Sequence, residues 1–419
     1  RNPRDPAVAY LLGAIYYLLG DYERAIPVVQ RAVALQPEVG SHYLLANLYY
    51  DTEDYAGAVV EYQAALAEDP SHAASAYGLG QAYQMMGRAE EAIAAYRQSL
   101  ALQDDPDTHS ALGKLLESQG ELELAVSQYE AAVAALEGSD PGGDVTRVAL
   151  ARVLVKLCRL DEAAAALEPR LASSDIGPPA ELLATLAGIR EAQGRTPEAS
   201  ELYASLLEGY PELAGVHYLV AWFYYRQDDL DGAVEEVSRA TQLAPGFSLA
   251  WSALGQLRDL QGDLEGATQA YEMALMAMPH NASALLGLGE IALQQGQAEE
   301  ALEYFQEALR QQPKYAEAIG DELNGALVAC HLHLALAYEQ LGRDSDAARE
   351  LKAMRQLAEA TVAALPSYAQ ARFQLGMALL VSSQDSEAEA AFAEATRCDA
   401  TTAKGREQLV ERLRQLRTG

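Results

Sequence analysis

With 419 residues the chain is too long for one compact core of ordinary size, so several domains or an array of repeats is expected. Half of its residues are hydrophobic, but these are mostly Ala and Leu, with only 5 Phe and 2 Trp, and the polar remainder is rich in helix-forming Glu and Gln. Thirty basic side chains against 61 acidic ones leave a net charge of −31, which repels phosphate backbones and anionic headgroups and argues against nucleic acid as a partner.

Along the chain the same small and large residues recur. The first unit carries Leu12-Gly13, Tyr16, Gly20, Ala25, Ala32 and Pro37; the third carries Leu79-Gly80, Tyr83, Gly87, Ala92 and Tyr96. The clearest copy is Trp251-Ser252-Ala253-Leu254-Gly255, Gly262-Asp263, Ala267, Tyr271, Ala274 and Pro279, followed by Leu288-Gly289, Gly296, Ala301, Phe305, Ala308 and Pro313. Pro37, Pro70, Pro211, Pro245, Pro279 and Pro313 are separated by 33, 141, 34, 34 and 34 residues. Large residues at spacings of three and four make one apolar stripe per helix. Gly13, Gly80, Gly113, Gly255, Gly289 and Gly376 fall in mid-helix, where Gly costs about 1 kcal/mol against Ala, so close helix approach is expected to offset it. Gly20, Gly87, Gly120, Gly194, Gly262, Gly296 and Gly342 suit the turn inside each pair, and the Pro is expected to close the second helix.

This pattern resembles the tetratricopeptide repeat (TPR). The resemblance implies an all-α fold: a right-handed superhelical α-solenoid of helix-turn-helix repeats. Leu-Gly/Ala pairs at Gly13, Ala46, Gly80, Gly113, Ala151, Ala187, Ala221, Gly255, Gly289, Ala335 and Gly376 count eleven repeats. The expected organisation is repeats one to four over 1–137, turn-rich connectors over 138–179 around a degenerate fifth repeat (144–175), and repeats six to nine over 180–313. An elongated hairpin (314–366), with about twelve added residues from Ala316 to Leu327 and about seven before Ser367, is expected to protrude. Repeat eleven (367–400) and a capping helix (401–419) follow, the latter with Leu409, Val410, Leu413 and Leu416 on one face and five basic residues against two acidic ones from Lys404 to Gly419. The connectors are Glu137 to Gly143 and Ser173 to Pro179; in the fifth repeat Cys158 and Arg159 replace the turn Gly.

Chemistry is absent from the motifs. No G-x-x-x-x-G-K-[ST] loop, H-E-x-x-H helix or G-x-S-x-G elbow occurs, and Gly78-Leu79-Gly80 and Gly287-Leu288-Gly289 lie inside predicted helices with no strand before them. Seven histidines look scattered; the nearest pair, His331 and His333, sits two apart and points to different sides of a helix. Cys158, Cys330 and Cys398 have neither metal nor redox spacing and are expected to be buried, inert thiols. No cofactor, metal or catalytic residue is expected, and no apolar stretch approaches the roughly 18 residues of a membrane span. The first residue, Arg1, is not Met, which is expected of a processed, trimmed or partial product. Bacterial cytoplasm and cell envelope both remain open; Ala and Gln richness suggests a bacterial source.

In the resembled family the first helix of each repeat lines the concave wall, with positions two, five, nine and twelve facing the groove. The register set by the Leu-Gly/Ala pairs puts Tyr10, Tyr17, Tyr43, Asn47, Tyr50 and Tyr77 there in the first three repeats, and Tyr218, Trp222 and Tyr225 in the seventh. Twenty-three Tyr against 5 Phe suit a wet binding surface, although packing against neighbouring helices uses the same rings. Tyr16, Tyr49, Tyr83, Tyr224 and Tyr338 hold the packing position beside the turn. A clamp for a C-terminal carboxylate finds only Asn47, Lys114 and Arg152, each in a different repeat, and the asparagine ladder of the O-GlcNAc transferase array finds only Asn47. The expected function is a non-enzymatic scaffold or adaptor that holds protein or extended-peptide partners, with basic ones favoured by charge and a glycan less favoured. Alternatives are the recruiting arm of a longer glycosyltransferase or secretion component, and a structural subunit that self-associates end to end.

Overall fold

A computed structural model of the chain describes residues 5–136, 141–171, 178–319 and 325–418, and the side chains of all of these except 141–142, 315–319, 409 and 414–418. Among them are 23 α-helices and no strand. The chain divides into two compact units, Arg1–Val153 and Leu154–Gly419.

The first unit begins with four hairpins: α1 (Pro6–Leu18) with α2 (Tyr22–Leu35), α3 (Val39–Asp51) with α4 (Tyr55–Glu68), α5 (Ala73–Met85) with α6 (Ala89–Leu102), and α7 (Pro106–Ser118) with α8 (Leu122–Ala135). Next in order are α9 (Pro141–Lys156) and α10 (Leu160–Leu171). The second unit continues with α11 (Ala180–Ala192) and α12 (Thr196–Gly209), α13 (Ala214–Arg226) and α14 (Leu230–Leu243), α15 (Ser248–Leu260) and α16 (Leu264–Ala277), and α17 (Ala282–Gln294) and α18 (Ala298–Ile319). It ends with α19 (Gly325–Gln340) and α20 (Asp344–Ala364), α21 (Ala369–Val381) and α22 (Asp385–Cys398), and the single helix α23 (Thr401–Thr418). Eleven helix pairs and one terminal helix therefore account for the all-α repeat architecture.

Six hairpins are locked where a large side chain of the second helix lies on a Gly of the first, sixteen positions earlier. A Cβ added at Gly80 would come within 2.6 Å of the Tyr96 ring, and one at Gly255 within 2.6 Å of Tyr271. Phe305 is a fully buried counterpart over Gly289. Gly78 and Gly287 are part of the same arrangement: the tips of Tyr62 and Tyr271 fill the space their missing side chains leave, so the G-L-G strings are seats for rings.

The turn inside each pair carries one residue in the left-handed region. Gly87 serves with φ 71°, yet four repeats place a side chain there: Glu53 (63°), Cys158 (62°), Asp228 (63°) and Ser383 (59°). The Asp that follows in several repeats caps the second helix; Asp21 accepts from the Arg24 N–H and Asp263 from the Gly266 N–H. Within each unit the first helices of successive repeats also touch one another, α1 with α3 and α3 with α5, α15 with α17 and α17 with α19. Among the described residues the second helices make no comparably close approach, so the first helices line the inner side.

Several expectations change. Five of the six closing prolines follow a helix end, but Pro313 lies inside α18, which runs on through the helix-forming residues after it. Pro141-Gly142-Gly143, read as connector, forms the start of α9, where a Pro costs no hydrogen bond. Residues 137–140 and 173–177 of the connectors, 320–324 of the added segment, and the side chains of Leu409 and Leu416 lie outside the described residues. Four of the seven histidines are not scattered. His42, His109, His217 and His331 share one position, and each bonds the side chain nineteen residues on: Glu61 (2.6 Å), Gln128 (2.8 Å), Glu236 (2.6 Å) and Glu350 (2.8 Å). Of the packing-position tyrosines, Tyr83 and Tyr338 are buried, whereas Tyr16, Tyr49 and Tyr224 are half-buried against the core.

The cysteine expectation fails for two of three. Cys158 and Cys398, 240 residues apart, are joined in a disulfide with a Cα–Cα separation of 5.1 Å, and only Cys330 is a free, buried thiol. Spacing along the chain conceals this pair because stacking returns the end of α22 to the turn before α10. Burial pushes the Cys330 thiol up to about 12, so it stays protonated and unreactive.

Two outcomes are expected. Gly80→Val forces the Tyr96 ring from its seat and costs about 1–3 kcal/mol, read as a lower denaturant midpoint, whereas an unchanged midpoint refutes the seat. Alkylation of the unreduced, denatured chain labels Cys330 alone and leaves a linked Cys158–Cys398 peptide in the digest; labelling of all three removes the disulfide.

Candidate partner-binding surfaces

The inner wall of the first unit is built from α1, α3 and α5. Tyr10, Tyr17, Tyr43, Asn47, Tyr50 and Tyr77 are all half-buried on these helices. Tyr10 and Tyr17 also pack on the core cluster around Leu44, Leu45 and Leu48, so both anticipated roles, wall and packing, meet in them. The Tyr43 ring stands edge-on to His72 at 5.1 Å and tilts against Tyr62 at 6.1 Å; Tyr50 stands edge-on to Tyr55 at 5.5 Å; Tyr77 leans on Tyr96 at 5.8 Å. Edge and tilted geometry fixes the rings without covering both faces.

Hydroxyl chemistry ties these rings together. Asn47 Oδ1 accepts from the Tyr62 hydroxyl at 2.6 Å, so the lone groove Asn steadies a ring. Burial, followed by a hydrogen bond to Asp51 and that carboxylate's charge, pushes the Tyr17 phenol up to about 12. Tyr50 is raised by burial, Tyr55 and Asp51, and Tyr77 by burial with Asp107 and Asp105. The phenols therefore remain neutral donors beside carboxylates. Such a wall offers ring faces, hydroxyls and negative charge, which together attract a cationic side chain. Among the described residues no helix of the first unit packs across it.

The second unit differs. Tyr218, Trp222 and Tyr225 are again half-buried on α13, with Tyr218 edge-on to Trp222 at 6.3 Å and Trp222 edge-on to Tyr225 at 5.6 Å. They line a cavity of about 580 Å³ together with Asp259, Glu290 and residues of α23. Besides packing on α21 and α22, α23 lies along the inner wall. The Ala400 N–H donates to the Ala192 carbonyl at 2.7 Å, and Lys404 Nζ pairs with Asp228 at 2.7 Å. Arg412 Nε donates to Glu290 Oε2 at 2.8 Å while its Nη2 bonds Asp259 and Glu290. Leu413 is buried in the apolar cluster formed with Val328, Leu332 and Val381.

Glu290 also accepts from His333 Nε2 at 2.6 Å, and His333 Nδ1 donates to the Ala329 carbonyl at 2.7 Å. Two acceptors facing both ring nitrogens select the imidazolium. Burial alone would lower the His333 pKa, but Glu290 outweighs it and the value is raised. Conversely, burial opposes the Glu290 charge while His333 and Arg412 hold the carboxyl down at about 2. His331, two residues away, faces Glu350 on α20 instead, so the pair diverges as expected from its spacing.

The register that located the aromatics also specifies Asp259 (position twelve of repeat eight) and Glu290 (position nine of repeat nine) as inner-wall residues. Rings and clamp residues mark a groove in sequence, whereas acids at those positions merge with the solvated background of an acidic chain. Cavity-lining Leu249, Ser252, Gln256, Leu286 and Phe373 obey the same rule.

Comparison with known proteins agrees with the repeat assignment. The tetratricopeptide repeat profile matches residues 49–115, 191–257 and 260–321, and the profile of anaphase-promoting complex, cyclosome, subunit 3 matches residues 1–65. No curated protein matches the sequence. Among solved structures, yeast Tom70 is similar at 14% identity and a TM-score of 0.44, over 98% of this chain and 95% of that one. A tetratricopeptide repeat protein from Parabacteroides merdae is similar at 15% identity and a TM-score of 0.46, over 57% of this chain and 93% of that one. With the repeat profile matched in three separate regions and helix hairpins built on its small-residue and aromatic pattern, the chain belongs to the tetratricopeptide repeat family.

Proposed function

We propose that the protein is a non-enzymatic scaffold whose first-unit wall captures an extended segment of a partner protein carrying Lys or Arg side chains. Tetratricopeptide repeats are in general a protein-interaction architecture, and the finer reading rests on one observation: Tyr17, Tyr43, Tyr50 and Tyr77 share an inner wall with Asp51. An extended backbone bonds to the hydroxyls, and its cationic side chains lie over ring faces beside the carboxylate. A glycan would use the rings but not the charge, which places it second. The disulfide between Cys158 and Cys398 favours an oxidising compartment over a reducing cytosol.

A second reading, end-to-end association, is favoured by α1 and its C-cap, where Leu11, Ile15, Leu18 and Leu19 are 59%, 53%, 83% and 74% exposed. Light scattering over a range of concentrations separates the two, since a stacking subunit gains mass with concentration and a monomeric scaffold does not.

Selection of a random peptide library on the full chain is expected to return sequences with Lys or Arg. Tyr43→Ala combined with Tyr50→Ala then weakens the selected peptides by about tenfold or more while helical circular dichroism is unchanged, because each aromatic contact is worth about 0.5–1.5 kcal/mol. Peptides without cations, or affinities untouched by the double substitution, would falsify the assignment.

A further inference from the structure

The second unit's inner wall makes an independent case, since it does not depend on the tyrosines of the first. Its carboxylates follow one another along the repeats: Asp228 in the turn after α13, Asp259 on α15 and Glu290 on α17. Asp259 and Glu290 are largely withdrawn from water, with side-chain exposures of 5% and 18%. Burying two carboxylates is costly unless a cation is delivered to them. His333 serves Glu290 only, and Gln294 gives Asp259 a neutral hydrogen bond at 3.2 Å. The remaining charge is met by Arg412, from α23.

Helix α23 fits this wall by charge more than by shape. Lys404 and Arg412, eight residues apart and so about 12 Å along a helix, reach Asp228 and the Asp259–Glu290 pair. Between them lies Gly405, a helix-weakening residue at the centre of the contact, where an added Cβ would meet the Phe373 ring at an ordinary 3.4 Å, so close approach does not require the glycine. A cavity of about 580 Å³ remains between helix and wall, flanked by Trp222, Leu249, Leu286 and Met377. The carboxylates are thus built into the repeats, while the cation that neutralises them arrives on an incompletely packed terminal helix.

We propose that the inner wall of the second unit is a binding site for an amphipathic helix of a partner protein bearing two cations about two turns apart, and that α23 is its exchangeable occupant in cis. The partner's arginine replaces Arg412 between Asp259 and Glu290, its second cation replaces Lys404 at Asp228, and larger apolar side chains fill the cavity. The local concentration of a tethered occupant is high, so a partner competes only when it fits better than α23.

The probe is a labelled synthetic peptide with the sequence of residues 400–419, added to the full chain. The chain carrying Lys404→Glu and Arg412→Glu, whose own tail is repelled, is expected to bind it at least about tenfold more tightly than the unsubstituted chain, in a salt-sensitive manner. Adding Asp259→Asn and Glu290→Gln to that chain is expected to abolish the binding. Hydrogen exchange on the unsubstituted chain provides the second readout: amides of α23 open at least about tenfold faster than those of α15 and α17. Equal affinity of the peptide for both chains, or exchange of α23 in step with α15 and α17, overturns the proposal. Should the doubly substituted chain lose its helical signal, the exchange measurement alone decides.

Discussion

Everything else in this protein depends on a contact between large and small: a ring or branched side chain of the second helix resting, in six hairpins, on a Gly of the first, sixteen residues earlier. Tyr96 on Gly80 and Tyr271 on Gly255 admit no Cβ at the glycine, so the helices cross closely and in one orientation. Because the close helix approach is assigned to those positions, positions two, five, nine and twelve of the first helices carry less of the packing, although Tyr10 and Tyr17 still touch the core. These positions face inward, and their identities are free to carry recognition.

The two units use that freedom differently. In the first, positions five and twelve hold tyrosines steadied by neighbouring rings and by Asn47 and Asp51. In the second, an aromatic set on α13 gives way to carboxylates on α15 and α17, already engaged by Arg412 of α23. A chain with 30 basic residues against 61 acidic ones has few cations to place, and five of them lie between Lys404 and Gly419. Two of those, Lys404 and Arg412, turn toward the inner wall. Acidic character is thus more than a solubility coat, since at Asp259 and Glu290 it becomes a buried demand for a positive partner.

Much of the architecture was legible in the sequence because a repeat states its own packing rule many times. The Leu-Gly/Ala pairs count the eleven hairpins that appear, and the same register places the cavity-lining residues of the second unit. What escaped was of three physical kinds. Contacts distant along the chain leave no local mark, as with Cys158 and Cys398 or Arg412 and Glu290. Context overrode a local rule at Pro313, which α18 absorbs, and at Glu53, Asp228 and Ser383, which hold a turn usually left to Gly. Lastly, α23 reads as a cap from its apolar residues; its basic residues, which speak for the wall, acquire meaning only beside the acids they meet.

One inner wall presents its rings uncovered among the described residues, and the other holds the chain's own terminal helix with a cavity beside it. Tyrosine-selective labelling of the free chain, followed by peptide mapping, tests this difference most directly. Ready modification of Tyr43 and Tyr50 is expected, with protection of Tyr218 and Tyr225, which line a cavity together with residues of α23. Equal modification of the two sets, or protection of the first alone, would contradict it.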